Sequence, residues 1–216
     1  TGRLEGELKQ ALFLRISRKH LDQVEYLDIT PDNGGVSSPN DRADHPGGFD
    51  FDGVNFWVPI SPSRPNSYSV ILKIPYDPDR PLTASSAETV FRTNDHIGAL
   101  AFDRDSQQLI GANWDTKIIY IWSLTGELKA SIPQQDLQRP NQNTVLAVQD
   151  WKYLDDHRVM ASGLDKNPNR DPAAPRSLVE IIDIERKIVV SQVRIARPSN
   201  SALDVTNEGI AIFDNH

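Results

Sequence analysis

Two histidines 51 positions apart are the residues of this 216-residue chain whose type and spacing best suit chemistry. His45 follows Asp44 and His96 follows Asp95, and in each case a glycine comes two residues after the histidine. A pair of imidazoles can bind a divalent metal ion, and neighbouring carboxylates can complete or orient such a site. The pattern Asp-His-x-Gly therefore predicts a site to which both histidines contribute.

Two roles remain open for these histidines. In the first, each ring bonds the backbone or a hydroxyl where its repeat begins, which is a packing device that a symmetric repeat would duplicate. In the second, the two rings hold a metal ion or take part in catalysis. The equivalent positions of the later repeats carry Ala147 and Ser199, so this set supplies at most two imidazole ligands.

Further polar and aromatic residues fall in loops that we expect at the same end of the molecule, together with the proline-rich loop 165–176. Arg64 offers a planar guanidinium to a carboxylate or phosphate, and Trp114 offers a stacking surface. Alternatively, Arg64 lies in a solvated turn and Trp114 covers a neighbouring repeat. The candidate ligand-binding residues are Asp44, His45, Arg64, Asn66, Asp95, His96, Trp114, Asp115 and Asp150, and the candidate metal ligands are His45 and His96.

The histidines belong to a repeat with a period near 50 residues. Residues 44–52 return at 95–103, a third copy covers 146–153 and a fourth centres on 202–205. Each copy contains short apolar segments separated by turns rich in Asp, Asn and Gly, and four strands per repeat of this length are typical of a propeller blade. The sequence therefore predicts an all-β propeller of four-stranded antiparallel blades.

The chain holds about four blades' worth of sequence in a single array over residues 1–216. We predict a half blade at 11–29, blades at 45–93, 96–133 and 147–195, and a half blade at 199–216 with strands at 202–205 and 210–214. The apolar run 118–122 predicts a middle strand buried on both faces. Either the two half blades pair and close a ring of four, or the chain is a fragment of a larger ring. We favour the fragment, because complete chains avoid exposed strand edges.

Composition excludes several classes of function. The net charge of −7, with no basic cluster, disfavours nucleic-acid binding. The absence of cysteine excludes disulfides, thiol catalysis and Cys-ligated zinc. The sequence contains no run of 18 apolar residues, so it predicts no transmembrane helix. The motifs of P-loop proteins, Gly-x-Ser-x-Gly hydrolases and His-Glu-x-x-His metalloproteases are also missing.

Four motifs resemble those of a mostly bacterial propeller family without a characterised member, the domain-of-unknown-function family 6454. They are His45–Gly53, Trp57–Pro59, Arg64–Ser67 and Asp95–Gly98, and the resemblance extends from about residue 11 to the end of the chain. It implies a propeller fold and, since many members are exported, a periplasmic or secreted location. Residues 97–126 also resemble a WD-type repeat more weakly, with Ile-Trp-Ser at 121–123 in place of Trp-Asp.

These observations predict binding of a small molecule or a protein partner at the propeller face that bears the Asp-His-x-Gly repeats. One alternative is a metal-assisted hydrolase such as a lactonase, in which His45 and His96 hold a divalent metal ion and its bound water is the nucleophile. Another is a non-catalytic scaffold for protein partners. The sequence leaves open whether the protein is an enzyme.

Overall fold

The computed structural model describes residues 9–31, 41–82, 87–140, 144–199, 204–206 and 209–212. Within these ranges the chain forms fifteen β-strands, a few short 3₁₀ turns and no α-helix. The strands are β1 (Leu12–Ile16), β2 (Val24–Asp28), β3 (His45–Pro46), β4 (Asp50–Phe51), β5 (Asn55–Ser61), β6 (Ser69–Pro75), β7 (Glu88–Thr93), β8 (Ile97–Asp103), β9 (Gln108–Asn113), β10 (Ile118–Ser123), β11 (Leu128–Pro133), β12 (Leu146–Tyr153), β13 (Arg158–Asp165), β14 (Ser177–Asp183) and β15 (Ile188–Ile195).

The strands form antiparallel sheets in which neighbours along the chain are neighbours in space. β1 and β2 form a two-stranded sheet, and β8–β11 and β12–β15 each form a four-stranded sheet. The remaining sheet has the order β5-β6-β7, with an inner strand split into β3 and β4, both of which pair with β5. We call the three larger sheets the first, second and third blades in chain order.

The inner strands of the three blades meet around a shared hub. Gly48, between β3 and β4, pairs with the second blade: its N–H donates to the Gly98 carbonyl and its own carbonyl accepts from the Leu100 N–H, both at 2.9 Å. The Asp50 carboxylate accepts the Phe102 N–H of the second blade at 3.0 Å and the Tyr153 N–H of the third at 3.1 Å. Four-stranded blades arranged around one hub confirm the predicted all-β propeller.

Apolar side chains fill the spaces between adjacent sheets. One cluster lies between the second and third blades, another between the first and second, and a third between the first blade and the β1–β2 sheet. In that last cluster Phe13 and Leu27 are buried, whereas Leu14 and Tyr26 on the opposite face are 54% and 70% exposed. The β1–β2 sheet therefore buries only one of its faces in the described part of the protein.

The chain near its C-terminus does not form the predicted strands in the part that the structure describes. Asp204 and Val205 lie outside any strand, as do Ile210–Ile212, and the rest of these two predicted strands falls outside the described residues. The Thr206 hydroxyl donates to the Gly163 carbonyl and accepts the Leu178 N–H at 3.3 Å, and these contacts with the third blade hold residues 204–206 in a turn. The boundaries of the predicted units therefore stay predictions.

The strand predicted to be buried on both faces, β10, is covered on both faces but not completely. In β10, Ile119 and Trp122 are buried, but Ile118, Tyr120 and Ile121 are only half-buried. β10 is the third strand of its blade and pairs with the outermost strand β11, whose side chains are mostly exposed. Residues three apart in a strand lie on opposite faces. Ile119 belongs to the apolar cluster between the second and third blades and Trp122 to the cluster between the first and second, so each face of β10 packs against a neighbouring blade.

Replacing Gly48 with alanine is expected to lower the free energy of unfolding by about 1–3 kcal/mol, as overpacking does. A Cβ atom at Gly48 would lie 2.5 Å from the Asp150 Cα and 2.7 Å from the Gln149 carbonyl oxygen, so blades would have to separate. At Gly98, the matched control, the nearest atom is a Val148 side-chain carbon at 3.1 Å, so alanine there should cost less. Urea unfolding of both variants measures the difference, and equal losses would contradict the prediction.

Candidate functional site

A cavity of about 250 Å³ opens at the end of the hub where the inner strands begin. Every blade contributes to its wall, and five of the predicted site residues are among those that line it. The polar and aromatic residues that matter below are His45, His96, Trp114, Asp115, Asp150 and Lys166.

His96 is the best-defined polar group of this cavity. It precedes β8 and is buried, and its Nδ1 lies 3.0 Å from the Pro62 carbonyl oxygen and 3.1 Å from the Arg64 carbonyl oxygen. Because both partners are acceptors, we assign the ring proton to Nδ1, which leaves the lone pair on Nε2. Burial, with a smaller contribution from the neighbouring His45 ring, lowers the pKa of His96 to about 4. His96 is therefore a neutral hydrogen-bond acceptor at neutral pH.

The two repeated histidines lie side by side, as equivalent positions of adjacent blades should. The ring centroids of His45 and His96 are 6.0 Å apart, and Trp114 packs edge-to-face on His96 at 4.6 Å. No carboxylate joins the two rings as a third close ligand: within the described ranges, one group of three or more such donors lies within 4.8 Å, and it consists of Asp103, Asp105 and His157. His45 and His96 could therefore hold a metal ion only if groups other than the described carboxylates supplied the remaining ligands.

A strained turn places Trp114 and Asp115 in the cavity wall. The backbone of Asp115 has φ 58° and that of Thr116 has φ 52°, in the left-handed region that costs free energy for residues other than glycine. The Thr116 hydroxyl anchors the turn by donating to the Leu146 carbonyl at 2.8 Å. The Asp115 carboxylate lies 3.2 Å from the Lys166 Nζ, which also sits 5.7 Å from the centroid of a Trp114 ring.

Asp150 also lines the cavity, and both of its carboxylate oxygens already have partners. Its carboxylate binds the Lys152 Nζ at 2.6 and 2.7 Å and accepts the N–H groups of Trp151 and Ile210, both at 2.9 Å. Burial raises the pKa of Asp150, and the Lys152 charge opposes this effect. Asp150 thus stabilises the hub, and its oxygens are not available to a ligand without losing these bonds.

The other predicted site residues do not line the cavity. The Asp95 carboxylate accepts the His96 N–H and the hydroxyl of Tyr120, each at 2.8 Å, so it positions His96. The exposed Arg64 guanidinium pairs with Asp41 at 2.5 Å, although its carbonyl holds the His96 ring. Asn66 is exposed in the same loop, and Asp44 is half-buried beside the cavity wall.

The sequence-based set of site residues omits Lys166 and the two carbonyls that hold His96. Lys166 comes from the proline-rich loop expected at this end, but one lysine in a polar loop has no distinctive signal. Backbone carbonyls leave no signal in the sequence either, because every residue carries a carbonyl group. Pro62 and Arg64 hold the His96 ring through their backbone carbonyls, so their side-chain types could not predict this contact.

The group formed by Asp103, Asp105 and His157 lies at the opposite end of the blades, where β8 ends. His157 Nδ1 is 3.0 Å from the Asp103 carboxylate, which also accepts the Ser106 hydroxyl at 2.6 Å. Tyr153 joins the group, since its hydroxyl donates to Asp105 at 2.5 Å and accepts the His157 N–H at 3.1 Å. Among themselves these groups form a network that links the turns of the second and third blades.

This network makes a pH-dependent contribution to stability. The hydrogen bond with Asp103, reinforced by the charges of Asp103, Glu185 and Asp105, raises the pKa of His157. A raised pKa in the folded state gives stability that is complete below the unfolded value of about 6.5 and is lost as pH rises through the folded value. We expect His157→Gln to lower the free energy of unfolding by up to ~1 kcal/mol at about pH 5.5 and by less at about pH 8.5. Equal losses at both pH values in urea titrations would contradict this.

Comparisons with known proteins found one matching family model and several similar solved structures. The model of a family described as "Family of unknown function (DUF6454)" matches residues 28–212. The structure of the nidogen/laminin complex aligns with 85% of this chain at 13% identity and a TM-score of 0.49, and the WD40 domain of Toxoplasma gondii coronin with 82% at 10% identity and 0.42. Regucalcin, a calcium-binding protein from Agrobacterium tumefaciens, aligns with 76% of this chain at 12% identity and a TM-score of 0.40.

The chain spans 59% of the matched nidogen/laminin chain, 42% of the coronin chain and 54% of the regucalcin chain. No curated protein sequence matches it significantly. Among the residues covered by the structure, no helix has the length and the apolar character needed to cross a membrane.

Proposed function

The chain belongs to the family of unknown function DUF6454, and we propose that it binds a small molecule in the histidine-bearing cavity. The observation that carries this proposal is the state of His96. Two backbone carbonyls hold its Nδ1, so a neutral imidazole presents the Nε2 lone pair beside a second imidazole in the cavity wall. A buried acceptor of this kind gains a hydrogen bond when a ligand supplies a donor.

The shape of the site favours a small molecule over a protein partner. The wall is concave and combines aromatic rings with a few polar groups, which is typical of small-molecule sites. Its volume of about 250 Å³ is too small to accept more than a side chain or a compact ligand. A protein scaffold, in contrast, would use a broad exposed surface.

A thermal-shift screen against a library of neutral and charged metabolites tests the proposal. We expect at least one compound to raise the unfolding temperature of the wild-type protein, and His96→Phe to abolish that shift because the lone pair is lost. His20→Ala, in an exposed turn, is the matched control and should keep the shift. A ligand that stabilises the His96→Phe variant as strongly as the wild type would contradict the proposal.

Metal-assisted hydrolysis is the second candidate function, favoured by the same two imidazoles. A metal-binding histidine commonly donates its other ring N–H to a carbonyl, as His96 does to Pro62 and Arg64. Imidazole ligands suit zinc, copper or nickel, and the open positions would be filled by water or substrate. Equilibrium dialysis with Zn²⁺ should show one bound ion that is lost in His45→Ala and His96→Ala. Absence of a bound ion in the wild type would reject this candidate and leave the first intact.

A further inference from the structure

The two carboxylates in the described wall of the cavity are each paired with a lysine. The Asp115 carboxylate lies 3.2 Å from Lys166 Nζ, and the Asp150 carboxylate lies 2.6 Å from Lys152 Nζ. Each acidic group of the wall therefore has a basic partner. The His96 ring adds no charge, because burial keeps its pKa near 4. An ion entering this cavity would lose its hydration beside carboxylates and lysines that already neutralise one another, which is costly.

The groups that face the cavity suit hydroxyls. The His96 Nε2 lone pair needs a donor, the Asp115 carboxylate accepts hydrogen bonds, and the Lys166 ammonium donates them. A hydroxyl is a neutral group that both donates and accepts, so several hydroxyls on one molecule could meet all three requirements. Carbonyl or ether oxygens alone could not serve His96, since they only accept.

The volume limits the ligand further. A cavity of about 250 Å³ lies below the range of about 300–1,000 Å³ that encloses drug-sized ligands. A compound with one small ring fits this limit better than an extended chain or a dinucleotide.

We propose that the cavity takes a neutral, hydroxyl-rich molecule of monosaccharide size, an inference that rests on the proposed binding function of the same site. His96 accepts one hydroxyl of the ligand, and the Asp115–Lys166 pair accepts from and donates to others. No covalent step is implied.

Three probes that share a ring and differ in charge test this inference: glucose, glucuronate and protonated glucosamine. Binding is measured by ligand-observed NMR titration of the whole chain. We expect the wild-type protein to bind glucose at least about tenfold more tightly than either charged probe, because an ion would meet no unpaired counter-charge.

Two variants make the prediction directional. Asp115→Asn leaves the Lys166 charge unpaired and should shift the preference towards glucuronate, whereas Lys166→Met leaves Asp115 unpaired and should shift it towards glucosamine. Asparagine tolerates the left-handed backbone at position 115, so the turn is retained. Thermal unfolding of each variant verifies that it is folded. Asp79→Asn, in an exposed turn away from the cavity, is the control and should leave the preference unchanged.

The outcomes separate this inference from the proposed function. If a charged probe binds the wild type more tightly than glucose, or if only charged compounds bind at the His96 site, the neutral ligand class is wrong and the binding function stands. If no library compound or probe binds in a manner sensitive to His96→Phe, both are wrong. Glucose binding that the Asp115 and Lys166 variants leave unshifted overturns the role assigned to the ion pair.

Discussion

Replacing Asp50 with alanine is expected to lower the free energy of unfolding by about 3 kcal/mol or more, because it removes a shared acceptor from the hub. One oxygen of this buried carboxylate accepts the Phe102 N–H at 3.0 Å and the Tyr153 N–H at 3.1 Å. Alanine would leave both buried N–H groups without this partner, and each unsatisfied group costs about 1–3 kcal/mol. Since the two donors belong to the second and third blades, the loss weakens the contact among all three. Urea unfolding followed by tryptophan fluorescence measures it.

Asp50→Asn is the matched control, because its amide oxygen can still accept both N–H groups while the charge is removed. Burial raises the pKa of Asp50 above its ordinary value. A carboxyl with a raised pKa in the folded state favours folding below its unfolded value of about 3.9, and this contribution is lost as pH rises through the folded value. We therefore expect the stability of the asparagine variant to improve relative to the wild type as pH rises from about 3.5 towards neutrality. An alanine variant no less stable than the asparagine variant would contradict the acceptor role.

Replacing Arg139 with methionine is expected to cost about 3–5 kcal/mol, since it leaves a buried carboxylate without its cation. The side chains of Arg139 and Glu180 are 2% and 0% exposed and form a direct ion pair. Glu180 lies in β14, and Arg139 lies in the segment that joins the second blade to the third. The neighbouring Gln138 donates its N–H to the Lys187 carbonyl at 2.9 Å and accepts the Val189 N–H at 2.8 Å. The ion pair thus secures this segment to the outer part of the third blade.

A double variant distinguishes the cost of leaving Glu180 unpaired from the cost of losing the packing of the Arg139 side chain. Arg139→Met combined with Glu180→Leu removes both charges and should recover most of the stability, because apolar groups can replace a buried ion pair without loss. Arg158→Met is the surface control: its partner Asp155 is 70% exposed, so the expected loss is below ~1 kcal/mol. A loss for Arg139→Met no larger than for Arg158→Met, in the same urea experiment, would show that the buried pair contributes little.

The repeat made the approximate position of the site predictable. Equivalent residues of adjacent propeller blades are related by a rotation about the hub, so two histidines 51 residues apart should come together, and their rings lie 6.0 Å apart. Trp114 and Asp115 could be placed in the same way, because loops between second and third strands share that end. Asp95 illustrates the limit of the method: its position in the repeat is right, but its carboxylate points to Tyr120 and the His96 N–H and does not line the cavity.

The sequence alone was enough to predict the all-β class, the four-strand repeat and the pairing of the two histidines. All three depend on the period of the repeat, which can be read directly from the order of the residues. The tertiary structure was needed to show which His96 nitrogen remains available to a ligand, how the carboxylates of the cavity wall are paired with lysines, and that Asp204–Thr206 form a turn. These depend on backbone carbonyls and on partners far apart in the chain, such as Asp115 and Lys166, whose proximity no local pattern encodes. The physical reason is that hydrogen bonds and ion pairs are set by distances of a few ångströms, which only the packed blades define.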